Sequence, residues 1–181
     1  MKRLQRAALL TELVEQLHEH QSWCGETHLQ KATFFLQELL GVDLGYEFVV
    51  YKHGPFSFDL RDELGGFVSD KLIHYQPQVP PYGPRITVTE EGESVQEIYP
   101  KTLARHADRI AFVAEKLDAR GVIDLERLAT ALYVTLEAPE ANDEQRAHML
   151  LEMKPHIPEP AALRAVREVD EIRAEAEAIA A

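Results

Sequence analysis

The chain has 181 residues, enough for one domain of ordinary size with a true core, and its single cysteine excludes an intramolecular disulfide and a small disulfide-framed scaffold. Its 19 basic against 31 acidic residues leave a net charge of −12, which opposes non-specific binding to nucleic-acid phosphates. Gln5, Arg6, Thr11, Glu12 and Glu15 break the N-terminal apolar run short of a signal-peptide core, and no stretch has the roughly 18 consecutive apolar residues of a membrane span, so the expected location is the cytoplasm.

Ala7, Leu10, Val14 and Leu17 recur at spacings of three and four, which predicts a first amphipathic helix with Glu12, Glu15 and Gln16 facing away. After a break at Ser22-Trp23-Cys24-Gly25, Leu29, Ala32, Leu36 and Leu39 predict a second helix over about 26–40, stopped by Gly41. The β-branched and aromatic residues from Tyr46 predict a strand over 46–52, ending at the turn pair Gly54-Pro55. Ser57 is placed to cap a third helix, with Leu60, Leu64, Phe67 and Leu72 at core spacing and Gly65-Gly66 weakening its middle.

Two short strands are expected at 73–76 and 85–88, joined by the proline-rich tip Pro77 to Pro84, and Thr89 is placed to cap the helix that follows. Helix, helix, strand, helix, two-stranded wing and capped helix is the order of a winged helix-turn-helix. The expected fold is mainly α with a small antiparallel β wing: a winged-helix domain over 1–93 and a helical extension over 94–181 packed on it.

In the extension, Leu103, Ala107, Ile110, Val113 and Leu117 form one stripe. Asp124 is read as the cap of a helix carrying Leu125, Leu128, Leu132 and Leu136, and a short helix is expected over 143–153. In the last helix Ala162, Ala165, Val169, Ile172, Ala176 and Ile179 make a narrow seam, read as ordinary packing on its own domain in preference to a dimer contact.

His18, His20, Cys24 and His28 are potential metal ligands by type, but none of the paired spacings of zinc sites is present, and no metal or cofactor is expected. Cys24 before a helix start, with His28 one turn on, is the nearest approach to a nucleophile and base. No nucleophile elbow, phosphate loop or dinucleotide fingerprint occurs, so the chain is read as a non-enzyme. DNA reading is the usual work of a winged helix, but the third helix sets Arg61 and Lys71 against Asp59, Asp62, Glu63 and Asp70, and the tip carries no cation. Phe56, Phe58, Tyr75, Val79 and Tyr82 would suit a protein interface better.

Thr27-His28-Leu29-Gln30-Lys31 leading into Phe34-Phe35, and Tyr51-Lys52-His53-Gly54-Pro55-Phe56-Ser57 followed by Leu60 and Leu64, resemble the Leu-Gln-Lys and Gly-Pro-x-Ser signatures of YwgA-like proteins and of the related Panacea domain, the SocA-like antitoxin group. The likeness covers residues 5 to 95, with Ala32-Thr33 standing in place of the usual aliphatic-aromatic run. Lys154-Pro155-His156 is similar to a Lys-Pro element near the C-terminus of these families. The resemblance implies a non-enzymatic protein that binds another protein, a toxin in the antitoxin version.

The leading expectation is therefore a protein-binding module, antitoxin-like or adaptor, that contacts a protein partner or a second copy of itself through His53, Gly54, Pro55, Phe56, Ser57 and Tyr82. The alternative is a DNA-binding transcriptional regulator that dimerises through its C-terminal helix, with Lys31 and Arg61, and Lys2, Arg3 and Arg6 beside them, at the phosphates.

Overall fold

A computed structural model describes residues 1–80 and 82–180; Pro81, within the expected wing tip, lies outside the described residues. Among these the chain forms eight α-helices and two antiparallel β-hairpins, a mainly helical fold with a small β component as expected. None of the described helices is long and apolar enough to cross a membrane.

Helix α1 (Arg3–Glu19) buries more than the predicted stripe: Ala8, Leu9, Thr11 and Leu13 are interior as well as Ala7, Leu10, Val14 and Leu17. The cause is its neighbours, since α2 (Glu26–Phe34), the fourth strand, and the fourth and fifth helices all pack on it. A helix covered on several sides loses its polar face, and Thr11 is tolerated because its hydroxyl donates to the Ala7 and Ala8 carbonyls.

Helix α2 continues as one π-helical turn, Phe35–Leu39, with Leu40 N–H donating to the Phe35 carbonyl five residues back. The wider turn accompanies the burial of three consecutive large side chains, Phe34, Phe35 and Leu36, each worth roughly 1.5–3 kcal/mol of transfer free energy. Gly41, at φ +66°, ends it.

The strand expected over 46–52 is shorter and has a partner that the sequence reading took for a turn. β1 (Val49–Tyr51) pairs with β2 (Gly54–Phe56), Val49 opposite Phe56 and Tyr51 opposite Gly54, so Gly54-Pro55 is the returning strand and Lys52-His53 the loop. Proline is admissible because a two-stranded sheet leaves each strand one outward edge that needs no N–H donor.

Ser57 caps α3 (Phe58–Ser69) as expected, its Oγ accepting from Leu60 N–H, and the helix runs through Gly65-Gly66 unbroken. It stops before Leu72, which is buried in the turn beyond. β3 (Ile73–Gln76) and β4 (Arg85–Val88) pair over the expected residues, and Thr89 caps α4 (Glu90–Ile98) by accepting from Gly92 N–H.

In the second half, α5 (Pro100–Leu117) lies on α1, while α6 (Val122–Glu137) packs on α2 and β2. Gly121, not Asp124, is the N-cap of α6; Asp124 sits in its first turn, where its carboxylate suits the dipole. α7 (Asp143–Met153) begins in a reciprocal Asn142–Gln145 capping box. α8 (Glu159–Ala180) packs on α5, α6 and α7, burying Ala162, Ala165, Val169, Ile172 and Ala176. The seam is thus covered within the chain and is not an open dimer face.

Candidate functional site

The two stretches that carry the family resemblance meet in space. Gln30 donates from its amide to the Ser57 carbonyl at 2.9 Å and accepts from Ser57 N–H at 2.9 Å, so one buried side chain satisfies both backbone groups of the α3 cap. Lys31 donates to the Pro55 carbonyl at 2.8 Å. From the far end of the sequence Lys154 reaches the same turn, donating to the Tyr51 and Lys52 carbonyls at 2.5 and 2.6 Å and pairing with Glu126 Oε1 at 3.0 Å. His53 and His156, both more than half exposed, stand outside this group at 3.8 and 3.5 Å from the Glu126 carboxylate.

Burial pulls the Lys31 amine down to about 8, the Glu126 carboxylate opposing the shift and Lys154 adding to it. A lysine of that kind can serve as a nucleophile, but Lys31 is 1% exposed and its nitrogen is engaged by Pro55. Gly54 adopts φ +83°, and a Cβ there would lie 2.9 Å from Thr130 Oγ1 and 3.2 Å from the Glu126 carbonyl. The arrangement fixes the β1–β2 turn against α2, α6 and the α7–α8 connection.

Several expected site residues are corrected by this geometry. Gly54, Pro55 and Ser57 are buried and hold the fold, so they cannot touch a partner directly; His53 and part of Phe56 reach the surface. Lys31 cannot meet a phosphate from the interior. Arg6 makes a bidentate pair with Glu63 at 2.9 and 2.8 Å, and Arg3 pairs with Asp70 at 2.7 Å. Tyr46 donates to Glu63 as well; burial, and then that carboxylate, push its phenol above the ordinary range. Arg61 remains exposed, stacked over the Phe58 ring at 5.1 Å and paired with Asp62 at 3.0 Å.

Beside the locked turn lies an outward-facing aromatic group. Tyr51, Phe56 and Phe58 pack mutually with ring centroids 5.1–5.8 Å apart, and Tyr51 and Phe58 are 48% and 42% exposed. β1 supplies Tyr51, β2 supplies Phe56 across the hairpin, and the start of α3 supplies Phe58 one residue after the cap. Tyr51 and Phe58 are the more exposed of the three, and Phe56 is half-buried in the strand that packs on α2 and α6. Tyr82 belongs elsewhere, 4.8 Å from the ring of Trp23.

The histidines and the cysteine do not converge. His18 Nε2 lies 2.7 Å from the Ile86 carbonyl, His20 Nδ1 2.9 Å from Gln16 and His28 Nε2 3.2 Å from Arg120, each on a separate backbone oxygen. Among the described residues no group of three or more His, Cys, Asp or Glu side chains could hold a metal ion. Burial pushes the Cys24 thiol up to about 12, away from the reactive thiolate.

Sequence reasoning missed Tyr51 as a surface anchor, reading it only as strand, and gave Trp23 no role. The available signals were the strand alternation, which puts Tyr51 on the face of Val49, and a lone tryptophan in an interhelical break. No protein-family model matches the chain, and no curated protein matches it.

Proposed function

We propose that this chain is a non-enzymatic protein-binding module, built on a winged helix over residues 1–93 with β3–β4 as its wing, and that it contacts its partner through Tyr51, Phe56, Phe58 and Arg61. The observation that carries this reading is the exposed aromatic triad with a guanidinium stacked on it. Aromatic and arginine side chains dominate the energetics of protein interfaces, and here they are pre-packed, so little side-chain entropy is lost on contact. The rigid turn behind them, pinned by Lys31, Lys154 and Gln30, supports the same use.

The resemblance to the Panacea group makes a toxin the specific candidate partner. The alternative of DNA reading has less support: of its cations, Lys31 is interior, Arg3 and Arg6 are paired with carboxylates, and α3 is predominantly acidic.

The test is affinity capture from the native cytoplasm, followed by reconstitution with the captured protein in purified form. A stoichiometric complex that Tyr51→Ala with Phe58→Ala weakens by about a hundredfold, on the order of 2–3 kcal/mol, supports the reading. A complex indifferent to both changes, or recovery of nucleic acid alone, contradicts it. If the partner is a toxin, the native chain rescues growth when the two are co-expressed and the double variant does not.

A further inference from the structure

A cleft of about 630 Å³ opens between the α1–α2 connection, the β3–β4 tip and the α5–α6 connection, and no part of the proposed interface lies in it. Its size is that of a small-molecule site. Trp23 and Tyr82 form one side, their rings 4.8 Å apart and inclined by 34°. Trp23 is held by a strained connection: Gln21 and Cys24 have φ of 62° and 50°, the left-handed region that costs a side-chain-bearing residue about 1–2 kcal/mol. That conformation is fixed by Ile86 N–H, which donates to the Cys24 carbonyl at 2.9 Å and ties the connection to β4.

Among the described residues, three groups in the walls are left without partners. His28 is 4% exposed; its Nε2 donates to the Arg120 carbonyl, which leaves Nδ1 a buried acceptor that no protein donor meets. Arg85 has a buried Nε without an acceptor, and among the described residues its side-chain hydrogen bond is to neutral His18, not to a carboxylate. The α2 N-terminus ends at Gly25, which offers no side-chain cap to the first N–H groups. Glu26 in the first turn answers part of that dipole, and Arg61 in turn offsets Glu26.

We infer that this cleft binds a planar nitrogen-bearing aromatic molecule with an anionic group: the ring lies on Trp23 and Tyr82, a ring or amino N–H donates to His28 Nδ1, and the anion meets Arg85 and the α2 N-terminus. Burial keeps His28 in the neutral form that accepts. The inference is independent of the aromatic triad. A nucleoside monophosphate and an indole carboxylate are two sources of the same chemistry, and they separate in solution.

Trp23 is the one tryptophan of the chain, so its emission reports on this cleft directly. The full chain is titrated by calorimetry with adenosine 5′-monophosphate and indole-3-acetate, beside their neutral counterparts adenosine and indole-3-acetamide, and by Trp23 emission for the nucleotide pair. The expected result is one site per chain for at least one of the two anions, its neutral counterpart binding roughly tenfold more weakly, and Arg85→Gln abolishing that gap. Tyr82→Ala, at a 62% exposed position, leaves folding intact and weakens anion and neutral form together; it carries the test if Arg85→Gln does not fold. Binding of neither anion below millimolar concentrations, equal binding of anion and neutral counterpart, or a Tyr82→Ala chain that binds as the native one does, overturns the inference.

Discussion

Helix α2 serves two polar clusters that are finished in opposite ways. At the Lys31, Glu126 and Lys154 group, ammonium donors are engaged by backbone carbonyls of one turn and a carboxylate lies among them, its Oε1 held by charge 3.0 Å from Lys154 Nζ and not by a hydrogen bond. At the Trp23 cleft, His28 Nδ1 and Arg85 Nε are buried and, among the described residues, unmet beside open volume. Lysines, histidines and a glutamate gathered around a glycine-proline turn have the composition of a reaction centre, although nothing local in the sequence brings Glu126, Lys154 and His156 to that turn. In the fold they are what makes the turn rigid, whereas chemistry left over for a second molecule is found where partners are missing.

The contrast breaks first, and hardest, at Glu126. Glu126→Ala leaves two buried ammonium groups without counter-charge, and urea unfolding is expected to show a loss of about 3–5 kcal/mol; an unchanged midpoint would mean that the lock does not hold the fold. Gly54→Ala is next, on the order of 3 kcal/mol, from the positive φ and a Cβ pressed against Thr130 and the α6 backbone. A Gly54→Ala chain as stable as the native one would place the turn farther from α6.

The pH dependence of Lys31 sharpens the same side. Its amine stands at about 8 in the fold against an ordinary 10.5, so between those values the unfolded chain binds the extra proton and stability rises with pH. Relative to Lys31→Met, the native chain should gain on the order of 3 kcal/mol across that window, with no further gain above or below it. Parallel stability curves for the two chains would place the amine in a wetter setting. The smallest effect is expected at the cleft, where Arg85→Gln removes an unmet Nε together with one hydrogen bond to His18 and should shift stability by about 1 kcal/mol while acting on ligand binding. A loss comparable to that of Glu126→Ala would mean that Arg85 holds the fold.

What the sequence disclosed follows the range of the interactions. Ser57 and Thr89 were legible as caps because the oxygen and the N–H it receives are three residues apart. β3 and β4 were legible because a proline-rich tip separates two short segments, one holding Ile73 and Tyr75 and the other Ile86, Thr87 and Val88. β2 was not, since Gly54-Pro55 reads as a turn, and its pairing with β1 goes with packing on α2 and α6 from distant parts of the chain. Lys154 could not be assigned its role, because the carbonyls it serves are 103 and 102 residues away. Lys31 looked like a phosphate contact for the same reason: α6 was legible as a helix, but its packing against α2, which helps bury Lys31, is a contact that no local pattern announces. Of the candidate interface, Phe56 and Phe58 were read from composition, while Tyr51 needed the hairpin register.

Hydroxyl-radical labelling of the chain alone and in complex with its captured partner tests the central claim most directly, because tyrosine and phenylalanine side chains report their own exposure. The account predicts that labelling of Tyr51 and Phe58 falls severalfold in the complex. Unchanged labelling at both positions, with protection on another face, would contradict the assignment of the hairpin face as the interface.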